Sequence, residues 1–155
     1  MSSQRSPLGE VLTELVLETF RFNGTVLEAG NRITKPHGLT SARWQVMGAI
    51  ELAGTPLTVP QIARRMGLAR QGVQRIVRDL SGLDMVNLTS NRDHKRAPLV
   101  SLSKEGVRVL EEINKAQAIW INELSEGLSE RGVKQALKVV KAVRERSEEI
   151  ESQQT

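Results

Sequence analysis

The sequence predicts a mainly α-helical chain with one small β-hairpin, on three observations. Apolar residues recur at helical spacing through most of the 155 residues. Two short extended runs, Met85 to Leu88 and Leu99 to Leu102, flank a polar stretch, as a hairpin requires. Positive charge is also concentrated: between Gln61 and Lys104 nine Lys or Arg stand against three Asp, a net +6, while the rest of the chain carries a net −2. Such a compact basic unit is the electrostatic footprint of a module that docks on a phosphate backbone.

Each element follows from local signals. Leu8, Leu12, Leu15, Phe22, Val26 and Ile33 are spaced by three, four or seven residues, which predicts a first long helix. Pro36, in Lys35-Pro36-His37-Gly38, ends it, because proline lacks a donor N–H and disfavours helix at its predecessor. Thr40 or Ser41 caps a second helix carrying Trp44, Met47, Ile50 and Leu52, which Gly54-Thr55-Pro56 stops. Thr58-Val59-Pro60-Gln61 fits a capping box for a short third helix that ends at Gly67.

Three residues beyond Gly67, Val73, Ile76, Val77 and Leu80 form the apolar stripe of a fourth helix, leaving Arg70, Gln71, Gln74, Arg75 and Arg78 mainly off it. Ala69 supplies no side-chain cap there, and Gly72 costs about 1 kcal/mol relative to Ala, which predicts a first turn that tightens on DNA. After the hairpin, Ser103 and Ser129 cap two further amphipathic helices, the first with Val107, Leu110, Ile113 and Trp120, the second with Val133, Leu137 and Val140. Only the last residues, Glu148 to Thr155, are expected to fray.

Composition excludes whole classes of function. With no cysteine, disulfides, thiolate metal sites and thiol catalysis are absent, and two histidines, His37 and His94, are too few for a His-rich metal sensor. There is no G-x-S-x-G and no Gly-rich phosphate loop, so no catalytic residues are assigned and an enzyme is not expected. Aromatics make up 3% of residues, which favours duplex over stacked single strands. No apolar run reaches the roughly 18 residues that span a bilayer, and Met1 to Glu10 lacks a signal-peptide core, so a cytoplasmic protein of one domain is expected.

The stretches Leu57-Thr58-Val59-Pro60-Gln61-Ile62-Ala63-Arg64-Arg65-Met66-Gly67-Leu68 and Arg75-Ile76-Val77-Arg78-Asp79-Leu80, followed by Asp93-His94-Lys95-Arg96 through Gly106, resemble the MarR family of winged helix-turn-helix transcription regulators. The resemblance implies a single MarR-like domain over 1–155, with dimerisation helices at 8–34 and 103–150 and a winged DNA-binding lobe at 40–102. It further implies a homodimer whose two lobes address successive major grooves. Recognition helices on a two-fold lie about one turn of DNA apart, roughly 34 Å, so the operator is a pseudo-palindrome.

Residue chemistry then assigns roles. Arg70, Gln71, Gln74 and Arg75 can read base edges, Arg forking onto guanine and Gln pairing with adenine, and Arg78, two turns down the helix, reaches a phosphate. At the hairpin tip, Arg92, His94, Lys95 and Arg96 surround Asp93, whose carboxylate is expected to hold one guanidinium in a fixed direction. The resemblance puts Arg96 at the minor groove. Related regulators often form an effector pocket near the second helix, where His37, Arg43 and Trp44 could hold a small anionic aromatic compound. No cofactor and no metal ligand is assigned. The competing reading is a winged helix that docks proteins or serves as an architectural DNA binder, but protein docking needs neither an Arg-rich second helix nor a basic wing tip.

Overall fold

A computed structural model describes residues 4–154. They form two compact units, one through Gln117 and one from Ala118. The order is α1 (Pro7–Thr34), α2 (Ser41–Ala53), β1 (Leu57–Thr58), α3 (Val59–Met66), α4 (Arg70–Gly82), β2 (Val86–Thr89), β3 (Leu99–Leu102), α5 (Lys104–Ser125) and α6 (Glu130–Gln154). Helix caps lie where the sequence predicts them. Thr40 accepts the Arg43 N–H, Thr58 and Gln61 form the reciprocal capping box, and the Ser103 and Ser129 hydroxyls accept the N–H groups of Gly106 and Gly132.

Proline and glycine act as punctuation at the end of α1. The helix runs to Thr34 and tightens into a 3-10 turn, Lys35–His37, and Gly38 reverses the chain at φ 67°, a left-handed conformation that glycine adopts without a Cβ penalty. Asn31 of α1 then accepts the Ser41 N–H at 2.8 Å, tying α1 to the start of α2. At its other end α6 continues helically to Gln154, past Glu148 where fraying is expected. Arg144 pairs with Glu148, and Arg146 with Glu149, along this last stretch.

The core of the first unit lies between α2, α3, α4, the sheet and the start of α5. Val46, Met47, Ile62, Val73, Leu80, Val100, Leu110 and Ile113 are fully buried in it. The sheet has three strands in the order β1-β3-β2, all antiparallel. The sequence predicts the β2–β3 hairpin, but β1 is an addition: Leu57 pairs with Val100 and Thr58 with Leu99. Two residues are too short to show a strand period. Among the described residues no helix is long and apolar enough to cross a membrane.

The junction between hairpin and α5 is tight. The Met85 carbonyl accepts the Ser103 N–H at 3.0 Å, and a Cβ at position 106 would overlap that same oxygen. Backbone oxygen cannot swing away as a side chain can. Gly106→Ala is therefore expected to destabilise the protein by about 1–3 kcal/mol, the usual cost of overpacking, read as a lower midpoint in urea unfolding.

Candidate nucleic-acid interface

The candidate surface is built by two reversals of the chain. Gly67, at φ 62°, ends α3, its N–H returning to Ala63 and Arg64, and two further residues lead into α4. α4 then buries Val73, Val77 and Leu80, which fixes its rotation about its own axis. With that stripe inward, Arg70, Gln71, Gln74, Arg75 and Arg78 are exposed. The first turn of α4 has no side-chain cap, since the residue at the cap position is Ala69, and the Gly72 α-carbon faces open space.

A groove of about 590 Å³ separates α4 from the hairpin, which forms the wing. Arg70, Gln71, Gln74, Arg75, Arg78 and Asp79 line one side, Arg96, Ala97 and Pro98 line the wing side, and Val59 and Pro60 of α3 complete it. Six of the nine DNA-contact residues expected from the sequence are thus gathered on one concave surface. Arg92, His94 and Lys95 stand outside it, exposed on the wing tip.

The wing tip corrects one expectation. Asp93 holds no guanidinium, for among the described residues it enters no ion pair. Order comes instead from Asn91, a buried polar residue whose Oδ1 accepts the Asp93 N–H at 3.0 Å and whose Nδ2 donates to the Ala97 carbonyl at 3.1 Å. The physical reason is exposure. A charge pair in water at such distances gains about 1 kcal/mol, too little to hold two mobile side chains, whereas an Asx-type turn uses backbone groups already close. An Asn two residues before Asp93 is the sequence signal for it.

Charge pairing divides the protein sharply. None of the nine Lys or Arg between Gln61 and Lys104 enters an ion pair among the described residues, whereas seven of the other thirteen do. Arg108 illustrates the contrast. It bonds both Glu105 and Glu112, and its hydrogen bond holds the Glu105 carboxyl below its ordinary pKa.

The residues considered for an effector meet protein partners. Arg43 reaches Asp79 of α4 at 3.2 Å and the Gly38 carbonyl at 3.5 Å, while His37 Nδ1 lies 3.5 Å from Glu112 of α5. Trp44 is half-buried against the core. The long-range Arg43–Asp79 bond has no local signal in the sequence.

This architecture, a three-helix lobe with a helix-turn-helix and an antiparallel wing, defines the winged helix-turn-helix class. Residues 37–97 match the model of the MarR family. An uncharacterized protein of Mycobacterium tuberculosis is 35% identical over 121 residues, covering 78% of this chain and 83% of the relative. A mutant MarR from E. coli complexed with operator DNA has a similar structure, with a TM-score of 0.77 at 20% identity over 90% of this chain and 99% of that one. CouR from Rhodococcus jostii, bound to p-coumaroyl-CoA, gives 0.74 at 21% identity over 83% and 90%. The chain belongs to the MarR family.

The wing turn supplies a test. Asn91→Ala removes both side-chain hydrogen bonds of the tip, and trypsin should then cut after Arg92, Lys95 or Arg96 several-fold faster in the folded protein, as expected of a loop released to local opening. Unchanged cleavage would remove Asn91 as the organiser of the tip.

Proposed function

We propose that this chain is a sequence-specific double-stranded DNA-binding transcriptional regulator, acting in the cytoplasm as a homodimeric repressor on a pseudo-palindromic operator. The observation that carries the reading is the groove itself: six polar or basic residues of α4 and the wing converge there, and none of its arginines is neutralised by a carboxylate. Arg70, Gln71, Gln74 and Arg75 have the chemistry to read base edges. Arg78 and the exposed tip residues Arg92, His94 and Lys95 suit phosphates, and Arg96 suits the minor groove. The similar fold of the E. coli protein complexed with operator DNA supports this orientation.

Uncovered apolar surface supports the dimer. On α1, Leu8 is 77% and Phe20 68% exposed, and α6 buries none of its residues, leaving Val133 and Leu137 half exposed. Exposed apolar stripes of this extent mark interaction surfaces. A second copy is the partner of choice because closed two-fold assemblies are the commonest, and the helices at 8–34 and 103–150 supply its interface. The effector in this reading is a small anionic aromatic compound near His37, Arg43 and Trp44, a choice supported by the p-coumaroyl-CoA bound to CouR. It would act by binding a misaligned dimer better than the DNA-competent one, shifting the population by no more than that difference in affinity.

The test is selection of bound duplexes from a random pool at about 150 mM salt, where non-specific attraction is weakened. Enrichment of a pseudo-palindrome is expected; weak, strongly salt-dependent binding without a motif would instead indicate an architectural or protein-docking role. On the enriched duplex, Arg75→Ala should lose about 1–3 kcal/mol of binding while random DNA loses less, and equal losses would make Arg75 a backbone contact. Arg96→Ala should flatten the slope of log affinity against log salt by about 0.9, as expected for one phosphate neutralised fewer.

A further inference from the structure

The groove contains a single carboxylate among the residues that line it, and its placement is a problem for DNA binding. Asp79 lies on α4 four residues after Arg75 and next to Arg78, with Arg96 lining the wing side. Side chains four apart on a helix are neighbours, so Asp79 is within reach of Arg75. A carboxylate there would hold the very guanidinium that a base edge needs, and would repel phosphate as well.

Asp79 is nevertheless bonded elsewhere. Its Oδ2 accepts from Nη2 of Arg43, 36 residues earlier on α2, at 3.2 Å. The Arg43 side chain is 27% exposed and that of Asp79 39%, so the pair is partly shielded from water. Arg43 is held from behind as well, through Nη1 to the carbonyl of Gly38 in the left-handed turn that precedes α2. Arg75 and Arg78 enter no ion pair among the described residues. One guanidinium from outside the groove therefore occupies the groove's only acid.

We propose that Arg43 is a positioning residue for DNA recognition: by engaging Asp79 it keeps Arg75 unpaired and available to the duplex. The inference rests on the DNA-binding reading above but assigns Arg43 a task that needs no effector. Without Arg43, Asp79 turns to Arg75 along the helix, and DNA must then break that pair before Arg75 can bind. The loss arises from the carboxylate rather than from the absence of Arg43, so it disappears when Asp79 is made neutral.

The experiment is a double-mutant cycle on the full chain, read by fluorescence anisotropy on the duplex that wild type selects and on a shuffled duplex. Replacing Arg43 by Ala should weaken binding to the selected duplex about tenfold in the native background, the scale of one lost base contact, with a smaller loss on the shuffled one. In the Asp79→Asn background the same replacement should change affinity by no more than about twofold, since no carboxylate remains to capture Arg75. Equal losses in both backgrounds, or no loss in the first, would overturn the proposal and leave Arg43 as a packing or direct contact residue. Thermal unfolding accompanies each variant, and Arg43→Gln, which keeps a polar stem, replaces Arg43→Ala if the latter does not fold. Failure of wild type to enrich any sequence overturns the DNA-binding reading and this inference together, whereas enrichment without rescue overturns the inference alone.

Discussion

Burial of Val73, Val77 and Leu80 sets the angle at which α4 faces outward, and the remaining features of the candidate surface depend on it. These side chains are 0–1% exposed. Fully burying one such residue contributes about 1.5–3 kcal/mol, so the stripe as a whole outweighs any single exposed charge interaction on the opposite face. Turning the helix by one residue would bring Arg or Gln into the core in exchange for Val, leaving charge or unsatisfied donors buried. The rotation is thus fixed by hydrophobic packing, and the cations need no partner of their own to hold the helix in place. That separation of tasks lets the helix keep its orientation while its cations carry no ion pair among the described residues.

The wing obeys the same logic in a different form. β3 lies between β1 and β2, and its Val100 is fully buried, so the base of the hairpin is anchored from both sides. The approach of Gly106 to the Met85 carbonyl ties the start of α5 to the entry of β2. Beyond Thr89 the chain leaves the sheet, and its turn is closed by the two hydrogen bonds of Asn91 and by the Ala97 N–H donating to the His94 carbonyl.

What was legible in the sequence is what local physics determines. The capping box at Thr58 and Gln61, the Ser103 and Ser129 caps, the inward stripe of α4 and the β2–β3 hairpin all depend on residues within a few positions of one another. The features that were not legible are non-local or too short. β1 is two residues long and gains its identity only by pairing with Val100 and Leu99, some forty positions away. Arg43 and Asp79 are brought together only after α2 and α4 pack. Asp93 shows the opposite failure, in which a local expectation of a charge pair gives way to backbone hydrogen bonding by Asn91, since water weakens an exposed pair more than it weakens a turn closed through a buried side chain.

Net charge alone does not explain the electrostatic character of the lobe. The whole chain carries only +4. On α5 and α6, Glu105 and Glu112 engage Arg108, Glu130 engages Lys134, and Glu148 engages Arg144, so these three cations are neutralised within a turn. At physiological ionic strength fields decay over about 8 Å, which makes distant acids nearly irrelevant to a phosphate at the groove. What such a phosphate meets is the local set, Arg70, Arg75, Arg78 and Arg96, with Asp79 as the one opposing charge. Because Arg43 offsets that charge, the groove acts on a ligand as though it carried no acid, and the uneven placement of acids and bases makes a nearly neutral chain locally cationic.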